Sequence, residues 1–356
     1  MSALLNEVME RARRLGVPFD VHLDVTYRCN ERCLHCYLDH ASPDEMSSLE
    51  LRGLLEQMAR AGVFFLTFSG GEPLLRTDIF EILAEARALG FCIKLKTNAV
   101  LIGAPEADRI CSLGLNEVHV SIYSHHAKAH DAVTGVPGSF DRSLQAVRLL
   151  RSRGQKVVLV HIVTRLAPSD HPSVRAMALE LGAGFRCDPT ITPKMDGDRS
   201  TLDLNVPPLE LVRLMTNPDY VGDVEEFCAP PALPDDAALN NILCGAGHNH
   251  CYIAPHGDLY PCVQLTVACG NVRSRPFLDI WRDSPQMREV RSLRVRDLPV
   301  CAACSHVTKC SRCPGLARMA GDLRGPSVQD CEKSWARTAL VPTGCPAPAA
   351  QAFVTA

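Results

Sequence analysis

Blocks of apolar and polar residues alternate between residues 19 and 193, and they predict strands separated by helices. Six short β-branched or apolar runs have the length and composition of buried strands. They are FDVHLDV from Phe19, VFFLTFS from Val63, CIKLKT from Cys92, EVHVSIY from Glu117, KVVLVHIVT from Lys156 and FRCDPTIT from Phe185. Apolar residues at helical spacing predict helices over residues 48–61, 78–89, 105–113, 140–153 and 173–181, and an amphipathic helix at the N-terminus.

Strands that alternate with helices indicate parallel βαβ units, in which both faces of the sheet are covered and the strands are nearly continuous in apolar residues. Six units are fewer than the eight of a closed barrel, so a doubly wound open sheet and an incomplete barrel both fit the pattern. In either architecture, functional loops follow the C-terminal ends of the strands. The pattern therefore predicts one site where the segments after the first four strands meet.

The periodic pattern weakens after residue 193, and a cysteine-rich and glycine-rich texture begins after residue 240. We predict an N-terminal helix over 1–18, a barrel-type domain over 19–235, a small domain over 240–345 and a tail over 346–356. Brief helices and many cysteines in the third segment indicate a domain held by metal centres rather than by a large core.

Charge and cysteine content narrow the functional classes. A formal net charge of −3 provides no basic field for nucleic acid or anionic membranes, so neither is an expected partner. The N-terminus lacks the apolar segment of a signal peptide, no transmembrane span is apparent, and we expect a cytoplasmic protein. Cytosolic thiols are seldom used for disulfides, so the 17 cysteines predict metal or cluster ligation. Eleven of them lie in three groups: Cys29, Cys33 and Cys36; Cys244, Cys251 and Cys262; and Cys301, Cys304, Cys310, Cys313 and Cys331.

The first group lies in the loop TYRCNERCLHCY after the first predicted strand. One alternative is a closed zinc site completed by His35 or by a distant residue. The other is a [4Fe-4S] cluster held by three thiolates, which leaves one iron open to a small-molecule ligand. The tight spacing of the cysteines favours the cluster.

The same loop, followed by SGGEP after the second strand, resembles the radical S-adenosylmethionine (SAM) superfamily. The resemblance implies a partial (β/α)6 barrel of the TIM type, with SAM bound to the open iron and reductively cleaved to a 5′-deoxyadenosyl radical. It also implies SAM contacts at Tyr37, Gly70, Gly71, Glu72, Pro73, Asn98, Ser121 and Arg165. Glu72 is expected to accept from the SAM ammonium. Arg165 is expected to replace an arginine that some relatives carry where this chain has Thr134.

The C-terminal cysteines are similar to the SPASM domain, an extension of this superfamily that binds two auxiliary [4Fe-4S] clusters. The family arrangement implies Cys244, Cys251, Cys262 and Cys313 for the first auxiliary cluster, and Cys301, Cys304, Cys310 and Cys331 for the second. The Cys310–Cys313 spacing is one residue shorter than the family pattern. Four thiolates at each auxiliary cluster favour electron transfer over substrate binding, and two zinc knuckles are the alternative use of these cysteines.

The resemblance predicts a radical SAM/SPASM enzyme that takes hydrogen from a substrate, with a ribosomally made peptide as the first expectation and a small molecule as the other. Crosslinking or side-chain oxidation would be the outcome. Alternatives are modification of a tetrapyrrole side chain or of a sulfatase active-site residue, or a non-enzymatic iron-sulfur electron carrier or sensor. Expected partners are an electron donor such as flavodoxin or ferredoxin and, because the segment before the first strand is short, a separate peptide-recognition protein. No catalytic acid or base is assigned among Tyr123, His125, His126 and His161.

Overall fold

The computed structural model describes residues 3–38, 40 and 44–338. Cys345, the predicted tail 346–356 and the end of the predicted C-terminal domain lie outside the described residues. The strands are β1 Asp20–Thr26, β2 Phe65–Gly70, β3 Cys92–Thr97, β4 Glu117–Ser121, β5 Val157–Ile162, β6 Gly184–Asp188, β7 His250–Ile253, β8 Asp258–Tyr260 and β9 Gly270–Asn271.

The helices pack around these strands or lie in the C-terminal region. They are α1 Ala3–Leu15, α2 Ser48–Arg60, α3 Ile79–Ala88, α4 Ala104–Ser112, α5 Ala127–Thr134, α6 Ser139–Ser152, α7 His171–Glu180, α8 Pro208–Met215, α9 Pro218–Val221, α10 Val224–Cys228, α11 Asp236–Leu239, α12 Phe277–Asp283, α13 Pro285–Ser292, α14 Pro299–Ala302, α15 Pro314–Met319 and α16 Val328–Thr338.

The described strands form a single sheet in the order β6-β5-β4-β3-β2-β1-β7-β8-β9. Strands β1 to β6 pair in parallel, each with its neighbour in sequence. All six predicted strands and the five predicted helices between them are present. The fold is an open, incomplete α/β barrel, which confirms the predicted fold class.

The C-terminal strands extend the barrel sheet. Strand β7 pairs in parallel with β1, and β8 and β9 follow as antiparallel neighbours. The sheet is therefore continuous across the domain boundary that the sequence predicts near residue 240.

The two faces of the strands differ in chemistry. On β1, Val21 and Leu23 belong to the main hydrophobic core, whereas Asp20 and His22 line an interior cavity. The expectation of strands that are apolar on both faces holds for the outer, helix-covered face only. The inner face is polar because it encloses a cavity rather than a packed core.

Candidate active site

The predicted site residues meet at one cavity. It has a volume of about 640 Å³ and extends from the C-terminal ends of the barrel strands into the interior. The predicted residues that line it are Cys29, Cys33, Cys36, Tyr37, Gly70, Gly71, Asn98 and Ser121. The parallel topology brings these residues together from four separate segments of the chain.

The three-cysteine loop is held in place by α5. Arg32 N–H donates to the Thr134 carbonyl at 2.9 Å, and Leu34 N–H donates to the Val133 carbonyl at 3.0 Å. Thr134 thus supports the loop through its backbone, and its hydroxyl lies 2.8 Å from the Ser139 hydroxyl. The sequence prediction contains no helix over α5, so this support was missed.

The loop thiols are half-buried and reduced. Cys29 Sγ accepts from Glu31 N–H at 3.4 Å, and the Asn98 amide lies 3.9 Å from the same sulfur. Burial raises the pKa of Cys29 to about 11 and also raises the pKa values of Cys33 and Cys36. A metal centre with positive charge would offset this cost, because thiolate is the form that ligates.

His35 does not complete a zinc site at this loop. Its ring packs edge-on against Tyr123 with a centroid separation of 4.6 Å, and burial lowers its pKa to about 4. In the part of the chain that the structure describes, no three His, Cys, Asp or Glu side chains are arranged to hold a single metal ion.

Gly70 and Gly71 bring β2 against the backbone of the cysteine loop. A Cβ on Gly70 would lie 2.1 Å from the Thr26 carbonyl oxygen, and one on Gly71 would lie 2.3 Å from the Arg28 carbonyl oxygen. Gly71 N–H donates to Thr26 at 2.9 Å across the same contact. Only glycine fits at these two positions, because the backbone of the cysteine loop lies directly against them.

Glu72 does not reach the cavity. Its side chain is fully buried, and its carboxylate accepts from the Thr97 hydroxyl at 2.8 Å, Asn98 N–H at 2.8 Å and Leu74 N–H at 3.1 Å. Burial raises the pKa of Glu72 to about 7, although these hydrogen bonds oppose the rise. The carboxylate holds the end of β3, and the expected contact of Glu72 with the SAM ammonium stays a prediction. Pro73 is also buried, at the start of the following 3-10 turn.

Arg165, a further expected SAM contact, also lies outside the cavity lining of the described residues, and its contact with SAM stays a prediction. It is exposed, and its N–H donates to the Leu204 carbonyl at 3.0 Å. The loop after β5 turns away from the cavity. The cations that do line it are Lys94 and Lys96 on β3 and Arg186 on β6.

The sequence prediction missed these inward-facing cations. Lys94 and Lys96 are two residues apart on β3, which places them on one face of the strand. The Lys96 side chain is exposed to the cavity, and desolvation by the surrounding protein lowers its pKa. Glu31, within the cysteine loop, also lines the cavity, and one of its carboxylate oxygens is buried with no hydrogen-bond partner among the described residues. Strand alternation could have identified the lysines, whereas the position of Glu31 depends on the folded loop.

Of the four residues considered as a catalytic acid or base, only one is among the described residues that line the cavity. Tyr123 lines the cavity, and its hydroxyl lies 3.8 Å from Cys33 Sγ. His161 Nδ1 lies 2.9 Å from the Ile122 carbonyl, and His125 Nδ1 lies 3.3 Å from Asp170 Oδ2. These two histidines and His126 are not among the described residues at the cavity.

A second cavity, of about 280 Å³, lies in the C-terminal region. The four cysteines expected at the second auxiliary cluster all line it, namely Cys301, Cys304, Cys310 and Cys331. Burial raises the pKa of Cys310 to about 12, and nearby Asp330, Cys301 and Cys304 raise it further. Burial raises the pKa of Cys301, and the positive charge of nearby Arg312, which also lines this cavity, opposes the rise. Four converging thiols fit a cluster with four protein ligands.

Three of the four cysteines expected at the first auxiliary cluster lie near one another. Burial raises the pKa of Cys313 to about 11, and the neighbouring charges of Asp330, Cys262 and Cys244 add to the rise. The shortened Cys310–Cys313 spacing directs Cys310 to the second cavity and Cys313 to this group. Cys251 differs, because its side chain is fully buried in the main hydrophobic core.

Comparisons with known proteins agree with this geometry. Residues 23–170 match the radical SAM superfamily, and residues 244–314 match the SPASM iron-sulfur cluster-binding domain. Mycofactocin maturase MftC of Mycolicibacterium smegmatis is 30% identical over 343 residues, which cover 92% of this chain and 86% of that protein. The chain belongs to the radical SAM superfamily.

Two further relatives of this radical SAM enzyme carry different names. AdoMet-dependent heme synthase of Oleidesulfovibrio alaskensis is 28% identical, with 82% of this chain and 81% of that protein covered. PqqA peptide cyclase of Xanthomonas euvesicatoria pv. vesicatoria is 30% identical, with 75% and 74% covered. The crystal structure of Streptococcus suis SuiB bound to precursor peptide SuiA shares the fold, with a TM-score of 0.69 at 18% identity over 90% of this chain and 77% of that one.

The family implies SAM and iron-sulfur clusters, and the donor sets described above fit these groups. The first feature is the set of three cysteine thiols at the large cavity, where a Glu31 carboxylate oxygen is buried without a hydrogen-bond partner among the described residues. The second is the set of four cysteine thiols around the separate C-terminal cavity. Within the described residues of this radical SAM enzyme, no helix has the length and apolar character needed to span a membrane.

Proposed function

We propose that this radical SAM/SPASM enzyme modifies a ribosomally synthesised peptide, forming a crosslink or oxidising a side chain. The observation that carries the proposal is the single cavity that joins the three-cysteine loop to a polar barrel interior. Relatives named as a maturase and as a peptide cyclase support a peptide substrate. When bound, the cluster and SAM supply a 5′-deoxyadenosyl radical that takes hydrogen from the substrate.

Different residues of the chain would bind the clusters, contact SAM and form the cavity. Cys29, Cys33 and Cys36 would hold the SAM-binding cluster, and Asn98, Ser121 and the segment at Tyr37 would contact SAM. The backbone of Gly70 and Gly71 borders the same space. The barrel segment 19–235 would provide the cavity, and segment 240–345 would carry two auxiliary clusters that accept the electron left when product forms. An electron donor such as flavodoxin or ferredoxin would supply the electron for SAM cleavage. A separate protein would present the peptide.

The interior cations indicate the chemistry of the substrate group that enters. Lys94, Lys96 and Arg186 line the cavity below the cysteine loop. A carboxylate is the anion that such a group of cations binds through charge-assisted hydrogen bonds. We therefore expect a peptide that presents a side-chain or C-terminal carboxylate to the barrel interior.

A tetrapyrrole with acidic side chains is the second candidate. The same cations would receive its carboxylates, and a heme synthase is among the relatives. Modification of a sulfatase residue and a non-enzymatic carrier role have no comparable support from the cavity.

Anaerobic reconstitution tests the proposal. We expect about 12 irons per chain, from three four-iron clusters, and reductive cleavage of SAM to 5′-deoxyadenosine. The triple variant Cys29→Ala, Cys33→Ala and Cys36→Ala should keep about 8 irons and lose SAM cleavage. Zinc in place of iron, with no cleavage, would contradict the enzyme assignment.

Deuterium transfer identifies the substrate class. Peptides encoded beside the gene, deuterated at candidate positions, should transfer deuterium to 5′-deoxyadenosine, as measured by mass spectrometry. Lys96→Met should raise KM for a carboxylate-bearing peptide and leave SAM cleavage without substrate unchanged. Transfer from a tetrapyrrole, and from none of the peptides, would favour the second candidate.

A further inference from the structure

Neighbouring residues of β7 point to opposite sides of the sheet. Side chains alternate along a strand, so His250 and Cys251 cannot face the same layer. Their partners in β1 identify the two layers: His250 pairs with Asp20, which lines the interior cavity, and Cys251 pairs with Val21, which belongs to the outer core.

Cys251 is packed as a core residue. It has no exposed surface and belongs to the hydrophobic cluster that contains Cys269, Trp281 and Met287. A thiol in such surroundings behaves as a small apolar group. Turning it toward the other auxiliary cysteines would require β7 to change faces, because a one-residue shift reverses every side chain of a strand.

His250 occupies the position that Cys251 does not. It lines the cavity together with Gln264, whose backbone N–H donates to Cys262 Sγ at 3.5 Å. Cys262 is close enough to the His250 ring to influence its protonation. On its other side, Nδ1 lies 3.3 Å from Asp20 Oδ2. A carboxylate that holds one ring nitrogen of a histidine while the other faces a ligand group is the arrangement found at metal-bound histidines.

Cys262 connects this histidine to the remaining donors. Gln264 joins it to Cys313, because its N–H donates to Cys262 Sγ at 3.5 Å and its side-chain oxygen accepts from Cys313 Sγ at 3.2 Å. Cys244 lies beside His250, since Ala246 forms a β-bridge with His250 and donates its N–H to Cys244 Sγ at 3.4 Å. We propose that His250, oriented by Asp20, is the fourth protein ligand of the first auxiliary cluster, in place of Cys251. This inference rests on the proposed function, which supplies the cluster.

A histidine ligand would change the electron chemistry of the cluster. Replacing a thiolate by a neutral imidazole removes one negative charge at the iron, and histidine ligation raises the reduction potential of iron-sulfur centres. The first auxiliary cluster would then accept an electron from the cavity more readily than the second, which has four thiols at its cavity.

Pulsed EPR of the reduced, full-length protein tests the assignment. The variant Cys29→Ala, Cys33→Ala and Cys36→Ala removes the SAM-binding cluster, and protein labelled with 15N-histidine identifies the nitrogen. We expect about 8 irons per chain and a strong hyperfine coupling that changes with the histidine label. Cys251→Ala in the same background should keep both the iron and the coupling.

His250→Cys is the decisive comparison, because a thiol can replace the imidazole as a ligand. It should keep about 8 irons and lose the histidine coupling, and the reduction potential should fall. Two results would overturn the inference and leave the proposed function intact. One is about 8 irons but no histidine coupling in the protein that still has His250. The other is histidine coupling that persists in His250→Cys. About 4 irons, from a single auxiliary cluster, would overturn the inference, whereas the proposed function fails only if the protein with all its cysteines does not cleave SAM.

Discussion

At the scale of single residues, Glu72 of the SGGEP motif stabilises the local structure at the end of β3. Its carboxylate is buried and accepts from the Thr97 hydroxyl and from two backbone N–H groups. Asn98, one of these donors, lies beside Cys29 at the cavity. Glu72 therefore positions the end of β3, where SAM contacts are expected, without contacting the cavity itself.

Glu72→Ala should destabilise the protein in the absence of SAM. The substitution leaves buried donors without an acceptor, at a cost of about 1–3 kcal/mol for each unsatisfied group. Urea denaturation measures the change in the free energy of unfolding. Glu81→Ala is the matched control, since that carboxylate is 58% exposed and pairs with exposed Arg109, so its loss should cost less than about 1 kcal/mol. Equal effects of the two substitutions would show that Glu72 has no structural role.

At the scale of elements, the end of β2 and the cysteine loop are fixed against each other by backbone contact. Gly71→Ala would place a Cβ 2.3 Å from the Arg28 carbonyl oxygen, one residue before Cys29. Because this Cβ would clash with a backbone atom rather than with a flexible side chain, the cysteine loop must shift. We expect loss of about four irons per reconstituted chain, corresponding to the SAM-binding cluster.

Gly53→Ala provides the control for this substitution. Gly53 lies within α2 and a Cβ there would meet no atom within 4 Å. Alanine in a helix interior is more favourable than glycine by about 1 kcal/mol, so the melting temperature should rise and the iron content should not change. Full iron content in Gly71→Ala would contradict the proposed role of the close contact.

At the scale of the whole molecule, the C-terminal region and the barrel share one sheet and one polar cluster. Tyr252 on β7 donates to Asp24 on β1 at 2.9 Å, and its hydroxyl lies 2.7 Å from the hydroxyl of Tyr27, next to the cysteine loop. Cluster binding in the C-terminal region should therefore stabilise the barrel as well.

Tyr252→Phe should weaken both parts together. Loss of two buried hydrogen bonds should cost about 1–3 kcal/mol, and hydrogen exchange should increase in β1 and β7 alike. Tyr260→Phe is the matched control, because that hydroxyl makes a longer contact of 3.4 Å with Asp258 on its own strand, β8. Faster exchange confined to β7 would show that the two regions unfold independently.

Local sequence patterns were sufficient to predict the barrel strands, the helices between them and the cysteine groups. These features are local, because strand and helix periodicity and cysteine spacing can be recognised within short segments. The parallel topology then brings the strand ends together. The two motif-bearing loops were thus predicted to meet, and Cys29 and Gly70 do line one cavity.

Which side chains face the cavity, and which support it from behind, depends on contacts between distant parts of the chain. Glu72 follows a predicted strand but turns into the protein, Arg165 turns outward, and Cys251 is directed to the core by the pairing of β7 with β1. That pairing joins residues more than 200 positions apart. Spacing along the chain carries no information about the register of such a pair, and the register decides whether His250 or Cys251 faces the other auxiliary ligands.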